Sequence, residues 1–332
     1  MALRQFQAME DTATPHDLLK WRFQQGHYRA YYDAYVRQRL LYETSLENLA
    51  LNKLEELRRL GTMVTYAPGN GNEESALLNG LSPADLLAEA KNILDRTSSR
   101  PVAQDLRTRI FELGEALYQS IRMQLAVERY KGEAVSRGAN LDTLDAPVTN
   151  VPWLKWKISE ISKLTSLKDQ MQAIKEILNR TNPGPGGFYD DLGDLTRQPH
   201  LVRGPGGTKD PEFRASSLVG FGYPDRWGKR WAQSIYDAPL QMHYTGLDRR
   251  AQYKVRVVYS GSTHDIKVKL VCDGDREIHP FLEKPWPPKP LEFNVPPEAT
   301  SKGELTLSWS CPLGRGHNGT GCQVSEVWLF RA

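Results

Sequence analysis

The sequence has no long apolar run and almost no excess charge of either sign. No stretch approaches the roughly 20 apolar residues that a membrane span needs, so we predict no membrane span. The 43 Lys and Arg residues against 40 Asp and Glu residues leave a net charge of +3. A nucleic-acid-binding surface needs a clustered basic excess, and we therefore do not expect nucleic acid as a partner.

Motifs for catalysis and for metal binding are also missing from the sequence. No serine or cysteine lies in a nucleophile motif. His16 and His27 lack the Glu-x-x-His partners of a di-metal helical bundle. Four further histidines show no zinc-ligand spacing: His243, His264, His279 and His317. We therefore expect no cofactor, and the sequence favours a binding role over catalytic activity without deciding whether the chain is an enzyme.

The length of 332 residues and a change of hydrophobic period both indicate two domains. Apolar residues recur with helical spacing up to about Arg180 and with period-two alternation from about Ser216. The run Asn182-Pro183-Gly184-Pro185-Gly186-Gly187 lies between these regions and ends the last predicted helix. We predict a multidomain α plus β protein, with an antiparallel helical bundle at 1–182, a Gly/Pro-rich linker at 183–212 and an antiparallel β-sandwich of jelly-roll type at 213–332.

Start signals and apolar spacing predict four helices in the first domain. Thr14-Pro15 can cap the first helix, which continues to about Leu60. The others are predicted at Ser82–Arg96, Arg100–Lys131 and Pro152–Arg180. An apolar, mainly aromatic stripe with heptad spacing on the first helix is expected to be buried: Trp21, Tyr28, Tyr35, Tyr42 and Leu49.

Short alternating segments bounded by turn residues predict the strands of the second domain. They are 215–222, 240–244, 253–259, 265–272, 276–281, 291–295, 304–310 and 323–330. Four of these runs with their flanking residues, at 245–259, 290–297, 303–309 and 322–329, resemble the jelly-roll order of galactose-binding-like and malectin-like domains. The segment also resembles the tail of large multidomain secreted proteins that carry such a domain at the C-terminus. The resemblance covers about the last 120 residues and implies a carbohydrate-binding or accessory role, but transfers no site residue.

The best candidate for a ligand site is the segment 221–237, which combines aromatic, glycine and charged residues. Carbohydrate recognition needs flat aromatic faces and fixed polar groups, which Trp227 and Trp231 and then Arg230 and Asp237 could supply, with the two indoles four residues apart on a helical turn. Alternatively, the two indoles close one end of the sandwich and the charges are solvated. Trp286, in a proline-rich loop, is either a packed lid or an exposed stacking residue.

Two further sites rest on spacing alone. Asp190, Asp191 and Asp194 could supply oxygens to Ca²⁺, although their spacing matches no EF-hand, and a capped, solvated turn is the alternative. Cys311 and Cys322 flank a turn-rich segment between two predicted strands and could form a disulfide.

The compartment and the exact role stay open at this level. The polar start lacks the apolar core of a signal peptide, which indicates the cytosol, whereas the chain could also be a fragment of a larger secreted protein. The cysteine pair and the sequons at Asn179 and Asn318 favour an extracellular location slightly. We expect an accessory protein whose C-terminal sandwich binds carbohydrate. The alternatives are a helical scaffold that binds another protein and a C-terminal fragment of a larger carbohydrate-active enzyme.

Overall fold

The computed structural model describes residues 2–66, 82–121, 141, 144–145, 147–194, 197–202, 219–221, 227–234, 237–261, 265–314 and 321–332. Two compact units divide the chain. The first consists of residues 1–53 and 88–149, and the second of residues 54–87 and 150–332.

The first helix begins at Ala2, before the predicted helix start at Thr14. The described helices up to Ile121 are α1 (Ala2–Thr12), α2 (Pro15–Leu18), α3 (Trp21–Tyr66), α4 (Pro83–Ser99) and α5 (Gln104–Ile121). Thr14 caps α2 as predicted, because its hydroxyl accepts a bond from the Asp17 amide at 3.2 Å. The prediction of one helix from Thr14 to Leu60 is wrong, since α2 ends at Leu18 and α3 runs on to Tyr66. The predicted end at Lys131 lies outside the described residues.

The aromatic stripe of α3 is buried only in its middle. Tyr28 and Tyr35 pack with Tyr31 in one apolar cluster of the first unit. Trp21 is 40% exposed and Leu49 47% exposed, contrary to the prediction for the ends of the stripe. A straight helix drifts by about 20° per heptad relative to a seven-residue repeat, so one face cannot keep all five positions buried over four heptads.

The helix predicted at Pro152–Arg180 is two helices. They are α6 (Val151–Ile161) and α7 (Leu167–Asn179). The Ser166 hydroxyl caps α7 by accepting a bond from the Asp169 amide at 3.4 Å. The pattern Ser166-Leu167-Lys168-Asp169 is a helix-start signal in the sequence that regular apolar spacing obscured. Leu164 lies between the two helices and is exposed.

The second unit also contains antiparallel sheets and a short helix. The strands are β1 (Phe188–Asp191), β2 (Val219–Phe221), β3 (Ala232–Ser234), β4 (Leu240–Thr245), β5 (Tyr253–Val258), β6 (Val268–Cys272), β7 (Arg276–Leu282), β8 (Pro290–Asn294), β9 (Glu304–Ser310), β10 (Gln323–Val324) and β11 (Glu326–Arg331), and helix α8 is Pro297–Thr300. The sheet orders are β1-β11-β5-β8, β10-β3-β2 and β4-β9-β6-β7. The two four-stranded sheets contribute to one buried core, where Val255 and Val257 of β5 join Leu305, Leu307 and Trp309 of β9.

Most predicted strands are present at the expected positions. The period-two pattern of β5 and β9 alternates buried and less buried residues as predicted. Three details differ from the prediction. Phe188–Asp191 forms a strand inside the predicted linker, and Ala232–Ser234 forms a strand inside the candidate ligand segment 221–237. The last predicted strand is divided at Ser325. The protein therefore combines mainly N-terminal helices with C-terminal antiparallel sheets. None of its described helices has the length and apolarity needed to cross a membrane.

The linker at 183–212 remains a predicted cleavage region. Leu192 and Leu201 of this segment are buried in the core, as their apolar side chains require. The Pro183 to Gly187 run precedes strand β1 and lies outside any helix or strand. We expect limited proteolysis of the full chain to cut within 183–212 and to release a β-rich fragment. First cuts confined to other regions would contradict this prediction.

The predicted cysteine pair is spatially close. The Sγ atoms of Cys311 and Cys322 lie 3.0 Å apart as free thiols, and Cys272 is buried elsewhere in the core. We expect mild oxidation to join Cys311 to Cys322 and to raise the unfolding free energy by about 2–3 kcal/mol, because the bond closes a short loop. A non-reducing peptide map and denaturation of the oxidised and reduced protein would measure both effects. Cys311→Ser is the control that cannot form the bond, and a cross-link to Cys272 would contradict the prediction.

Candidate functional site

A cavity lies within the second unit. Its volume of about 800 Å³ is typical of small-molecule sites. Helices α6 and α7, strands β5, β8 and β11 and residues of the loops between such elements line it. Its aromatic residues are Trp153, Trp156, Trp227 and Trp328. Its charged residues are Lys157, Glu160, Lys175, Glu176, Arg180, Lys229, Arg256, Glu292 and Glu326. We call this space the aromatic cavity.

The position of α6 follows from its sequence. Residues at steps of three and four along a helix share one face, and Trp153, Trp156, Lys157 and Glu160 have this spacing and line the cavity. The loop at Trp227 can approach α6 because it contains Gly228. A side chain at that position would place its Cβ 2.4 Å from the Trp153 backbone nitrogen, and Gly228 also has a φ of +75°.

Four charged residues form what we call the ion cluster: Arg180, Asp191, Lys229 and Glu326. Asp191, Lys229 and Glu326 are buried and the Arg180 side chain is 13% exposed; all but Asp191 line the cavity. The Arg180 Nε and Lys229 Nζ atoms each lie 2.5 Å from a different oxygen of Glu326. Arg180 is also 3.6 Å from Asp191. Asp191 and Glu326 face each other on neighbouring strands, so the two cations offset a like-charge pair.

Polar neighbours complete the ion cluster. The Tyr189 hydroxyl donates to Glu326 at 2.8 Å, and the Asn150 side-chain amide donates to Asp191. Burial opposes ionisation of Glu326, but the charges of Arg180 and Lys229 outweigh it and lower its pKa from 4.5 to about 2. Burial and the nearby Arg180 charge lower the pKa of Lys229 to about 8, which leaves it protonated at neutral pH. Glu326 is therefore a fixed anion and a poor general acid.

Two of the cavity's indoles support the ion cluster. The Arg180 Cζ and Lys229 Nζ atoms both lie 3.9 Å from the ring centroid of Trp153, in cation–π contact. The Trp328 indole N–H donates to the Arg180 carbonyl oxygen. Both rings are almost fully buried, so protein groups already use most of their surface.

Three half-buried indoles form a continuous series, the tryptophan row: Trp156, Trp227 and Trp286. The ring centroids of Trp156 and Trp227 are 4.8 Å apart, and those of Trp227 and Trp286 are 6.2 Å apart. Both pairs are inclined by 66°. Composition alone singled out Trp227 and Trp286, whereas Trp156 was missed because its segment was assigned to the bundle. The local run Trp153-Leu154-Lys155-Trp156-Lys157 was the available signal.

The other predicted ligand residues lie away from the tryptophan row. Trp231 is only 4% exposed and does not share a helical turn with Trp227, because the chain enters β3 at Ala232. Arg230 accepts a bond from the Ser325 hydroxyl through its carbonyl oxygen at 2.6 Å. Asp237 is exposed and accepts from the Gly314 amide at 3.1 Å. None of these three belongs to the described lining of the aromatic cavity.

The three aspartates proposed for Ca²⁺ are all buried and engage protein groups. Asp190 accepts from the ring of His200 at 2.8 Å and from the Tyr244 hydroxyl at 3.2 Å. Asp191 belongs to the ion cluster, and Asp194 pairs with Arg197 at 3.5 Å. The alternative of a solvated turn is therefore wrong, because all three carboxylates are buried.

Neither a family model nor a curated protein matches this chain. Among solved structures, an exo-β-1,3-galactanase of Phanerochaete chrysosporium with galactose has 11% identity and a TM-score of 0.27, over 44% of this chain and 30% of that one. A GH26-CBM35 β-(1,4)-mannanase of Podospora anserina has 9% identity and a TM-score of 0.25, over 44% and 28%. A GH115-family 4-O-methyl-α-glucuronidase with specificity for decorated arabinogalactans has 11% identity and a TM-score of 0.27, over 80% and 34%.

These solved structures are carbohydrate-active enzymes, and one carries a carbohydrate-binding module in its name. The chain covers about a third of their length or less. Likenesses at such TM-scores carry no argument for the activity of this chain.

Proposed function

We propose that the second unit binds carbohydrate in the aromatic cavity, with the tryptophan row as the stacking surface. The observation that carries this proposal is the placement of three half-buried indoles in one row. Two of them, Trp156 and Trp227, line the aromatic cavity together with charged side chains. Indole faces suit the C–H patches of sugars, and charged groups suit their hydroxyls. The jelly-roll resemblance of the last 120 residues points to the same class of ligand.

A non-catalytic role is part of this proposal. Acid-catalysed glycoside cleavage needs a carboxyl group that stays protonated near neutral pH. Glu326 has the opposite environment, since two cations hold it ionised. Arg256 and Glu292, at the same cavity, form an ion pair at 2.5 Å, so this carboxylate is also engaged by a cation. The environments of Glu326 and Glu292 therefore favour holding a ligand over cleaving it.

Substitution of the tryptophan row tests the proposal. We expect the full chain to bind members of a glycan array, and Trp156→Ala or Trp227→Ala to weaken the affinity for the best glycan at least about tenfold, or about 1.4 kcal/mol. Isothermal titration calorimetry measures the affinity, and circular dichroism checks the fold of each variant.

The control is Trp21→Ala, because Trp21 is an exposed indole in the first unit. Its affinity should equal that of the unchanged chain. Failure of the full chain to bind any glycan, or equal affinity in all three variants, would contradict carbohydrate binding at this cavity.

A further inference from the structure

Lys157 places an ammonium group at the aromatic cavity without a carboxylate partner among the described residues. Its Nζ atom lies 4.8 Å from the Trp156 ring centroid and 5.9 Å from that of Trp153. These cation–π contacts satisfy none of its three N–H donors. The group therefore has hydrogen-bonding capacity at the point where the tryptophan row meets the cavity.

The two carboxylates whose charges act most on Lys157, Glu160 and Glu176, contact other side chains. Glu160, three residues further along α6, pairs with Lys163 at 2.6 Å. Glu176 of α7 accepts a bond from the Gln172 side-chain amide at 3.0 Å. Both act on Lys157 only through space, without contact. Their charges do not replace a direct partner for the ammonium.

Three of the four other cations that line the cavity contact a carboxylate, whereas the fourth, Lys175, is exposed to solvent. Arg180 and Lys229 contact Glu326, and Arg256 contacts Glu292. Burial lowers the pKa of Lys157, which means that its charge is incompletely solvated. An anion placed beside the Lys157 ammonium would replace the stabilisation that this charge loses when it is removed from water.

We infer that the sugar bound in the aromatic cavity is anionic, with a carboxylate or sulfate group held by Lys157 while the ring stacks on Trp156. This inference rests on the proposed function and specifies its ligand class. A pyranose carries its uronic carboxylate or 6-sulfate at the ring edge. The Lys157 ammonium lies over the Trp156 ring at 4.8 Å from its centroid, so a sugar ring packed against this indole can direct that group towards the ammonium.

Matched sugars test the inference on the full chain. The probes are methyl galactoside, methyl galacturonide and methyl galactoside 6-sulfate, with the corresponding glucose series. We expect at least one anionic form in a series to bind about tenfold more tightly than its neutral parent, and Lys157→Met to remove this preference. The carboxylate and sulfate arms identify the anionic group. Titration followed by nuclear magnetic resonance measures the affinities.

Two variants separate charge recognition from structural damage. Lys157→Arg keeps the cation and should retain the preference, whereas Lys168→Met removes an exposed lysine of α7 outside the cavity lining and should leave it unchanged. Equal binding of neutral and anionic sugars, or a preference that survives Lys157→Met, overturns the inference and leaves carbohydrate binding intact. Absence of binding by every probe and by the glycan array overturns both.

Discussion

Glu326→Gln is expected to destabilise the second unit by about 3–5 kcal/mol, because it removes the buried carboxylate that both Arg180 and Lys229 contact. Arg180 and Lys229 each lie 2.5 Å from a Glu326 oxygen, and the Glu326 side chain is only 2% exposed. A glutamine has nearly the same shape, so the loss reflects charge and not volume. Urea denaturation measures it. Seven of the eight tryptophans lie in the second unit, since only Trp21 lies in the first, and fluorescence therefore follows this unit.

The matched control is Glu292→Gln. Glu292 pairs with Arg256 at the same distance of 2.5 Å, but both side chains are well exposed. Solvent screens such a pair, and we expect a loss of about 0–1 kcal/mol. Equal losses in the two variants would contradict the assignment of Glu326 as the anion on which the ion cluster depends.

Acid should remove the difference between Glu326→Gln and the unchanged chain. The pKa of Glu326 is about 2 in the folded protein and 4.5 as its ordinary value. A lowered pKa means that the stabilisation is complete above about pH 4.5 and is lost as the pH falls towards 2. Denaturation at pH 7 and at pH 3 should therefore show a larger effect of the substitution at pH 7.

The sequence predicted the parts of the fold that local patterns encode. Period-two alternation located β5 and β9, and the Thr14 cap located the start of α2. Strand β1 was missed because four strand residues beside a Pro/Gly run carry too little pattern to outweigh it. The division between α6 and α7 was missed because apolar spacing continued across the capping signal at Ser166.

The candidate site was only partly predictable for a related reason. The composition of single loops identified Trp227 and Trp286, which lie in the tryptophan row. The ion cluster joins Arg180 to Glu326 across 146 residues, and no local pattern reports such a contact. Lys157 and Trp156 were treated as part of a helical bundle, so their contribution to a cavity beside the sheets required the three-dimensional structure.

A buried series of hydrogen bonds in the core joins Trp309 of β9 to His279 of β7 through Tyr259, the residue that follows β5. The Trp309 indole N–H donates to the Tyr259 oxygen at 2.9 Å, and the Tyr259 hydroxyl lies 2.5 Å from His279 Nε2. His279 Nδ1 lies 2.8 Å from the Pro280 carbonyl oxygen, which can only accept. Nδ1 is therefore the donor, Nε2 is the acceptor, and Tyr259 donates to the ring. The ring nitrogens of Trp309 and His279 and the hydroxyl of Tyr259 therefore all have hydrogen-bond partners.

Trp309→Ala is expected to cost about 3–5 kcal/mol of unfolding free energy, because it opens a cavity in the core and leaves the Tyr259 oxygen without its donor. Trp309 is fully buried with Leu305 and Leu307 on the same strand. Tyr259→Phe separates the two causes, since it removes the hydrogen bonds at nearly constant volume and should cost about 1–3 kcal/mol. Urea denaturation followed by fluorescence measures both variants, with exposed Trp21→Ala as the neutral reference. A loss in Trp309→Ala no larger than that in Trp21→Ala would show that this core does not hold the sheets together.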